Sequence, residues 1–274
     1  MSSLTVAQAL ADARSLGLPR LDAQLMLAWV LGRPRAWLLA HDEAPVPAAA
    51  AARYAAACAQ RADNVPLAYL TGEREFHGLA LAVAPGVLVP RPETEHLVDW
   101  ALECLAGLQQ PSVADLGTGS GAVALALAAA RPEAHITAVE RSPAALAVAK
   151  ANGSRLGLAV QWRAGDWWQP VAGQRFDLVA SNPPYIAADD PHLPALRHEP
   201  LEALASGADG LDALRTIIGG APDHLVPGGW LLLEHGHDQG LAVRRLLTAS
   251  GLVDATTRPD LAGLDRCSGA RRKC

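Results

Sequence analysis

The word Asn182-Pro183-Pro184-Tyr185 sets a side-chain amide, two rigid prolines and an aromatic ring side by side. It follows an apolar run, Phe176-Asp177-Leu178-Val179-Ala180-Ser181, which reads as a short buried strand. Each proline lacks an N–H and fixes its φ, so the strand must end there. Pro183 also pushes Asn182 towards an extended backbone. An amide is thus held at the carboxyl end of a strand, where open α/β sheets bind their ligands. The Asn182 side-chain oxygen and the Pro183 carbonyl can each accept a hydrogen bond from the N–H of an amide or aromatic amine. Such a nitrogen is a poor nucleophile, because its lone pair is delocalised. Fixing it so that the lone pair faces an electrophile is catalysis by positioning and preorganised electrostatics. Tyr185 offers a flat face against which a planar acceptor can stack.

A second chemical site stands upstream. Asp115-Leu116-Gly117-Thr118-Gly119-Ser120-Gly121 closes one strand pattern and opens a helix pattern. Its glycines allow a tight turn and close approach of a ligand to the backbone, and the helix start offers free N–H groups. Gly117, Gly119 and Ala122 also satisfy the dinucleotide fingerprint. Glu140 ends the next strand, where a carboxylate accepts hydrogen bonds from ribose hydroxyls; either ligand wants it there. Three features favour S-adenosylmethionine, with S-adenosylhomocysteine as product, over a dinucleotide. Asp115 suits an aminoacyl ammonium group. Asp166-Trp167 ends a third strand, where an acid and an aromatic ring can hold adenine, Trp168 being the weaker candidate. Asn182 to Tyr185 has no part in hydride transfer. His235-Gly236-His237 offers two imidazoles without further ligands, so no metal site is expected there.

Elements to position these groups follow from periodicity. From residue 112 onward strand and helix patterns alternate: strands at 112–116, 136–139, 160–164, 176–181 and 230–234, helices at 122–130, 143–157, 209–225 and 241–250, then a weakly marked hairpin. Ser142-Pro143 is an N-cap followed by an N1 proline. Such alternation implies a mainly parallel sheet covered on both faces, an α/β fold of Rossmann-like type. Residues 186–207 are polar and proline-bearing; a loop of that length is usually functional or disordered, and its place favours covering a substrate.

Residues 1–75 read as a small helical bundle without a catalytic constellation, a partner-recognition domain. Its helices are expected near 4–13, at 21–31 closed by Gly32, and at 48–62 after Pro45 and Pro47. Residues 76–90 read as a β-hairpin linker turning at Pro85-Gly86, with strands at 76–83 and 87–89. Residues 91–274 form the catalytic domain, and Thr94 is placed as N-cap of a helix running to Leu108.

With 274 residues, half of them hydrophobic, a large core is available. A net charge of −5, with Lys150 and Lys273 the only lysines, opposes the broad basic footprint of a nucleic-acid binder. Cys58, Cys104, Cys267 and Cys274 show no zinc or disulfide spacing, which fits a reducing, cytoplasmic setting. The start lacks a basic n-region, and no apolar run approaches the roughly 20 residues that span a bilayer, so neither a signal peptide nor a membrane is expected.

The glycine loop, Ser181 to Ile186, Leu233-Glu234-His235-Gly236, Pro90-Arg91-Pro92-Glu93-Thr94-Glu95 and Asp190-Pro191-His192-Leu193 together resemble the PrmC/HemK glutamine methyltransferases. The resemblance runs over nearly the whole chain. It implies a methyltransferase sheet with an N-terminal helical bundle and hairpin linker. It implies transfer of methyl from S-adenosylmethionine to the side-chain amide nitrogen of the glutamine in the Gly-Gly-Gln motif of class 1 peptide chain release factors. On that resemblance Gly117, Thr118, Gly119, Ser120, Gly121, Glu140, Trp167 and Asn182 hold the cofactor, and Asn182, Pro183, Pro184 and Tyr185 hold the glutamine. Asn-Pro-Pro-Tyr is shared with methyltransferases acting on exocyclic amines of nucleic-acid bases, which is the alternative reading. The stretch Arg266-Cys267-Ser268-Gly269-Ala270 is less strand-like than the family's usual ending.

Overall fold

Prolines mark where most helices of the amino-terminal part begin. In the computed structural model, which describes residues 4–274, Pro19, Pro34, Pro47 and Pro66 each stand just before a helix with ψ between 134° and 150°. A fixed φ and a missing N–H suit that entry, because the first helical N–H groups have no partner inside the helix anyway. The helices are α1 (Val6–Ser15), α2 (Arg20–Leu31), α3 (Arg35–Ala40), α4 (Ala48–Ala62) and α5 (Leu67–Thr71). Thr5 and Gln8 close a reciprocal capping box on α1, and Gly32 in the left-handed region ends α2. Val6, Met26, Leu27, Leu38 and Tyr54 fill the core of this unit, with the Tyr54 hydroxyl donating to the Ala23 carbonyl at 3.2 Å. α3 and α5 are too short for periodicity to reveal; the prolines before them were the available signal.

The chain divides into two compact units, one through Glu73 and one from Arg74 to Cys274. Residues 1–3 of the expected helical segment lie outside the described residues. The hairpin is β1 (Glu73–Phe76) and β2 (Leu79–Ala82), so it lies earlier than expected and turns at His77-Gly78. Both turn residues have positive φ, 48° and 77°, the requirement of a two-residue hairpin turn. Pro85-Gly86 makes a separate turn, and residues 87–89 form no strand. Val87 and Val89 are buried, and the Val89 N–H donates to Glu199 Oε2 at 3.1 Å instead of to a ladder.

The main sheet has the order β5-β4-β3-β6-β7-β9-β8. Its strands are β3 (Ser112–Leu116), β4 (His135–Glu140), β5 (Gln161–Ala164), β6 (Phe176–Ser181), β7 (Leu225–Glu234), β8 (Val253–Pro259) and β9 (Asp265–Arg271). β3 to β7 are parallel, and β9 runs antiparallel between β7 and β8. Helices α6 (Glu95–Cys104), α7 (Ala122–Ala130), α8 (Pro143–Leu156), α9 (Asp212–His224) and α10 (Gly240–Ala249) cover it. Alternate residues of each strand enter opposite cores: Leu178, Ala180 and Leu232 pack in one, Val179, Leu231 and Leu233 in the other. That two-sided burial is why the central strands read as unbroken apolar runs. β7 starts earlier than its apolar run suggests, with a register shift opposite Phe176 and Leu178 at Pro227-Gly228-Gly229.

β9 corrects the reading of the C-terminal stretch, which is an inner strand. Its small residues are what the packing requires. A β-carbon on Gly269 would lie 2.5 Å from Leu232 Cδ2 and 2.9 Å from the Trp100 ring. Both side chains are buried, and the Leu231 carbonyl oxygen would lie 3.1 Å away as well, so the neighbours have little room to give. Gly269→Ala should therefore cost roughly 1–3 kcal/mol through overpacking. Urea unfolding of both proteins measures it, and an unchanged midpoint would mean the sheet shifts freely there.

Candidate functional site

β4 and β6 leave β3 on opposite sides, so the strand order reverses at β3. A crevice opens where the strand ends diverge, the place where such sheets bind ligands. Here it is a cavity of about 310 Å³. Its wall includes Asp115, Gly117, Thr118, Gly119 and Ser120 after β3, Glu140 at the end of β4, Asp166 and Trp167 after β5, and Asn182, Pro183 and Pro184 after β6. Ser181 ties two of these strand ends together, its hydroxyl donating to the Leu116 carbonyl at 2.6 Å.

The loop after β3 is held from inside. Asp115 Oδ2 accepts from the Thr118 hydroxyl at 2.5 Å and from the Ala124 N–H at 3.1 Å. Burial pushes the Asp115 carboxyl up to about 6, against those hydrogen bonds. Part of the acceptor capacity assigned to a ligand ammonium is thus spent on shaping the turn. Gly119 has φ +59° and lines the cavity, and a β-carbon there would meet no protein atom within 4 Å. Its N–H donates to Glu140 Oε2 at 2.9 Å, while Ser142 N–H donates to Glu140 Oε1 at 2.8 Å. Glu140 is thereby oriented, and each oxygen keeps a lone pair for a further donor. Gly121 lies behind the wall, against Leu125, Trp162 and Ala149.

The two tryptophans part company. Trp167 lines the cavity, its ring 3.2 Å from where a Gly117 β-carbon would stand. Trp168 turns away: its Nε1–H donates to the Ile217 carbonyl at 3.2 Å, and its ring stacks on His224 with centroids 4.4 Å apart.

Asn182 donates from Nδ2 to Thr94 Oγ1 at 3.0 Å, which leaves its Oδ1 for another donor. Tyr185 stands outside the cavity wall. Its ring packs beside the core under α9, its hydroxyl donates to Glu234 Oε1 at 3.1 Å, and its carbonyl accepts from Gln239 Nε2 at 2.9 Å. Burial raises the Tyr185 hydroxyl well above its ordinary range. His235 is a buried strand exit, its ring nitrogens 2.8 Å from the Gly236 carbonyl and 2.7 Å from the Ser268 hydroxyl.

Several groups take parts that sequence alone did not assign to them. Thr94 is not a cap: it has helical φ/ψ and no side-chain capping bond, α6 ends at Cys104 rather than Leu108, and its hydroxyl serves Asn182. Glu234, 1% exposed, ends β7, and burial pushes its carboxyl up to about 7. An acid closing an apolar strand was the signal. Residues 186–207 are not structureless. Ile186 bridges to Ala205, short 3₁₀ turns follow, and buried Glu199 pairs with Arg91. Pro200, Glu202, Ala203, Ala205 and Ser206 of this stretch wall the cavity.

Comparison with known proteins bears on both units. Residues 4–72 match the model of the PrmC N-terminal domain, and residues 98–199 that of the methyltransferase small domain. A release factor glutamine methyltransferase of Bordetella pertussis is 52% identical over 256 residues, covering 92% of this chain and 95% of that protein. One from Xylella fastidiosa is 51% identical over 255 residues, covering 92% and 93%. Among solved structures, a Thermus thermophilus 16S rRNA N2 G1207 methyltransferase with AdoMet and guanosine superposes with a TM-score of 0.58 at 22% identity. It covers 73% of this chain and 50% of that one, a likeness of fold.

Proposed function

This chain belongs to the release factor glutamine methyltransferase family, and from that premise we propose that it methylates the side-chain amide nitrogen of the glutamine in the Gly-Gly-Gln motif of class 1 peptide chain release factors. The observation that carries the reading is the crevice itself, where Asn182 and Pro183 face the same cavity as Gly119, Glu140 and Trp167. The wall fits S-adenosylmethionine: backbone at Gly119 open to a ligand, an oriented acid at Glu140 for ribose hydroxyls, and a flat ring at Trp167 for adenine. When bound, that cofactor supplies an electrophilic methyl group on a sulfonium.

The chain's own residues do the rest. Asn182 Oδ1 and the Pro183 carbonyl accept the two N–H bonds of the glutamine amide, fixing its nitrogen and aiming its lone pair. As the nitrogen is methylated it becomes strongly acidic, so a proton leaves without a dedicated strong base. Tyr185, with its hydroxyl bound to Glu234, stiffens the exit of the word from below the wall. Among the described residues no helix is long and apolar enough to cross a membrane, and a cytoplasmic site of action suits a partner in translation.

The amino-terminal unit is assigned to holding the release factor. One glutamine side chain offers little surface, so selectivity needs contacts elsewhere, and two surfaces on one substrate raise effective concentration. The assay is transfer of labelled methyl from S-adenosylmethionine to an intact release factor. Label should enter the factor and vanish when the Gly-Gly-Gln glutamine is replaced. Removing residues 1–75 should preserve cofactor binding and sharply reduce labelling. Label in nucleic acid instead of protein would overturn the substrate, and full-rate labelling by the truncated enzyme would remove the recognition role.

A further inference from the structure

We propose that Glu199 is a positioning residue for methyl transfer: paired with Arg91, it closes a circuit of contacts that begins and ends at the Asn182-Pro183-Pro184-Tyr185 word and holds that word for the acceptor. The inference deepens the glutamine-methylation reading above and rests on it. Half of the circuit is backbone. Ile186, the residue after the word, donates its N–H to the Leu204 carbonyl, and the Ser206 N–H donates to the Ile186 carbonyl, each at 2.9 Å. Leu204 follows the short 3₁₀ turn Leu201–Ala203, and its N–H donates to the Leu201 carbonyl at 3.0 Å. Pro200 opens that turn, directly after Glu199.

The other half runs through side chains. The Glu199 side chain is 3% exposed; its Oε2 accepts from the Val89 N–H at 3.1 Å and its Oε1 from the Arg91 guanidinium. These partners stand 110 and 108 positions away, so only tertiary contact joins the two segments. Arg91 precedes the 3₁₀ turn Pro92–Thr94, and the Thr94 N–H donates to the Arg91 carbonyl at 3.1 Å. Thr94 Oγ1 then receives Asn182 Nδ2 at 3.0 Å, and the circuit is closed. Arg91 and Thr94 on one side, and Pro200, Ala203 and Ser206 on the other, wall the same cavity as Asn182. Glu199 therefore joins two walls of one cavity. A carboxylate suits the place, because both partners donate and both of its oxygens accept; a carboxamide would offer one acceptor to two donors. The pair with Arg91 is also the charge-assisted link of the circuit. Gly119, Glu140 and Trp167 take no part in the contacts that form it, so it bears on the acceptor rather than on the cofactor. Methyl transfer to a weakly nucleophilic amide depends on that placement, since a misplacement of about 1 Å can cost on the order of a hundredfold.

The circuit is tested by opening it at either partner. Glu199→Gln keeps the shape and loses one acceptor; Arg91→Met keeps the apolar stem and loses the donors; Arg91→Lys restores a cationic donor. Single-turnover methylation of the release factor, with both substrates saturating, should slow roughly ten- to a hundredfold in Glu199→Gln and in Arg91→Met. Affinity for S-adenosylmethionine, read by calorimetry, should stay within about twofold, and Arg91→Lys should recover most of the rate. Because the two residues form one link, the double variant Glu199→Gln with Arg91→Met should be little slower than either alone. Wild-type rates in the single variants, no recovery in Arg91→Lys, fully multiplicative losses in the double variant, or a loss of cofactor affinity as large as the loss of rate would each overturn the proposal. The wild-type enzyme run alongside separates the two levels: if it does not label the factor's glutamine, the substrate reading falls and the positioning role with it. Should Glu199→Gln prove misfolded by its melting temperature, Arg91→Met and Arg91→Lys, at a side chain one-third exposed, carry the test.

Discussion

Asn182→Ala is expected to slow methyl transfer roughly a hundredfold or more while changing cofactor affinity far less, by analogy with removal of one preorganised polar group from an oxyanion-type site. The side chain reaches the cavity from the end of β6 and is held there through Nδ2. On the proposed reading, removing it takes away the acceptor for the reacting amide's N–H, and it leaves Thr94 without its donor. The backbone should not move, because Pro183 and Pro184 fix the exit and Ser181 is clamped to Leu116 at 2.6 Å. The loss should therefore fall on the chemical step. Single-turnover rates with both substrates saturating measure it. A rate near wild type would mean that the Pro183 carbonyl alone positions the acceptor.

That word was legible because its chemistry is local. A strand that must end at two prolines puts its last side chains at the sheet's edge wherever the sheet lies. The alternation after residue 112 was equally plain: β3, β6 and α7 have the bounds that periodicity indicated. The Ser142 cap and Pro143 open α8 as read, with the Ser142 hydroxyl accepting from the Ala145 N–H at 3.3 Å.

What was hidden depends on partners far along the chain. Thr94 looks like an N-cap because Thr before Glu95 is a capping pattern, yet tertiary contact claims its hydroxyl for a residue 88 positions away. The hairpin turn was read at Pro85-Gly86 because that dipeptide is the stronger turn signal. His77-Gly78 wins because Glu95 and Glu75 side chains receive its two N–H groups, at 3.1 and 2.7 Å. β9 was hidden by its composition, since Cys267, Ser268 and Gly269 have no strand-forming bulk. Their smallness is meaningful only once Trp100 is seen packed over them. Asn152, 0% exposed, carries no sequence signal, although it fastens β2 to the cofactor loop: it bonds the Ala82 backbone through both ends, at 2.8 and 3.0 Å, and the Ser120 carbonyl at 3.0 Å.

Gly119→Val is expected to abolish measurable S-adenosylmethionine binding while leaving a folded protein. The contrast with Gly269 explains the split. At Gly269 an added carbon runs into protein atoms, whereas at Gly119, which lines the cavity, it meets none within 4 Å. The protein alone thus has room for the side chain. It pays only the strain of a branched residue at φ +59°, about 1–2 kcal/mol. A ligand lying against the Gly119 backbone has no such room. The valine would occupy the approach that the missing β-carbon leaves open, and relief of the φ strain would pull the Gly119 N–H away from Glu140. Two of the groups assigned to the cofactor would fail together. Titration calorimetry should show no heat at cofactor concentrations that saturate the wild type, an affinity loss on the order of a hundredfold or more for a clash at a closely approached backbone. The melting temperature should fall by only a few degrees. A valine variant that binds S-adenosylmethionine with wild-type affinity would show that the cofactor does not lie against this loop, and the assignment of Gly117 to Gly121 would have to be withdrawn.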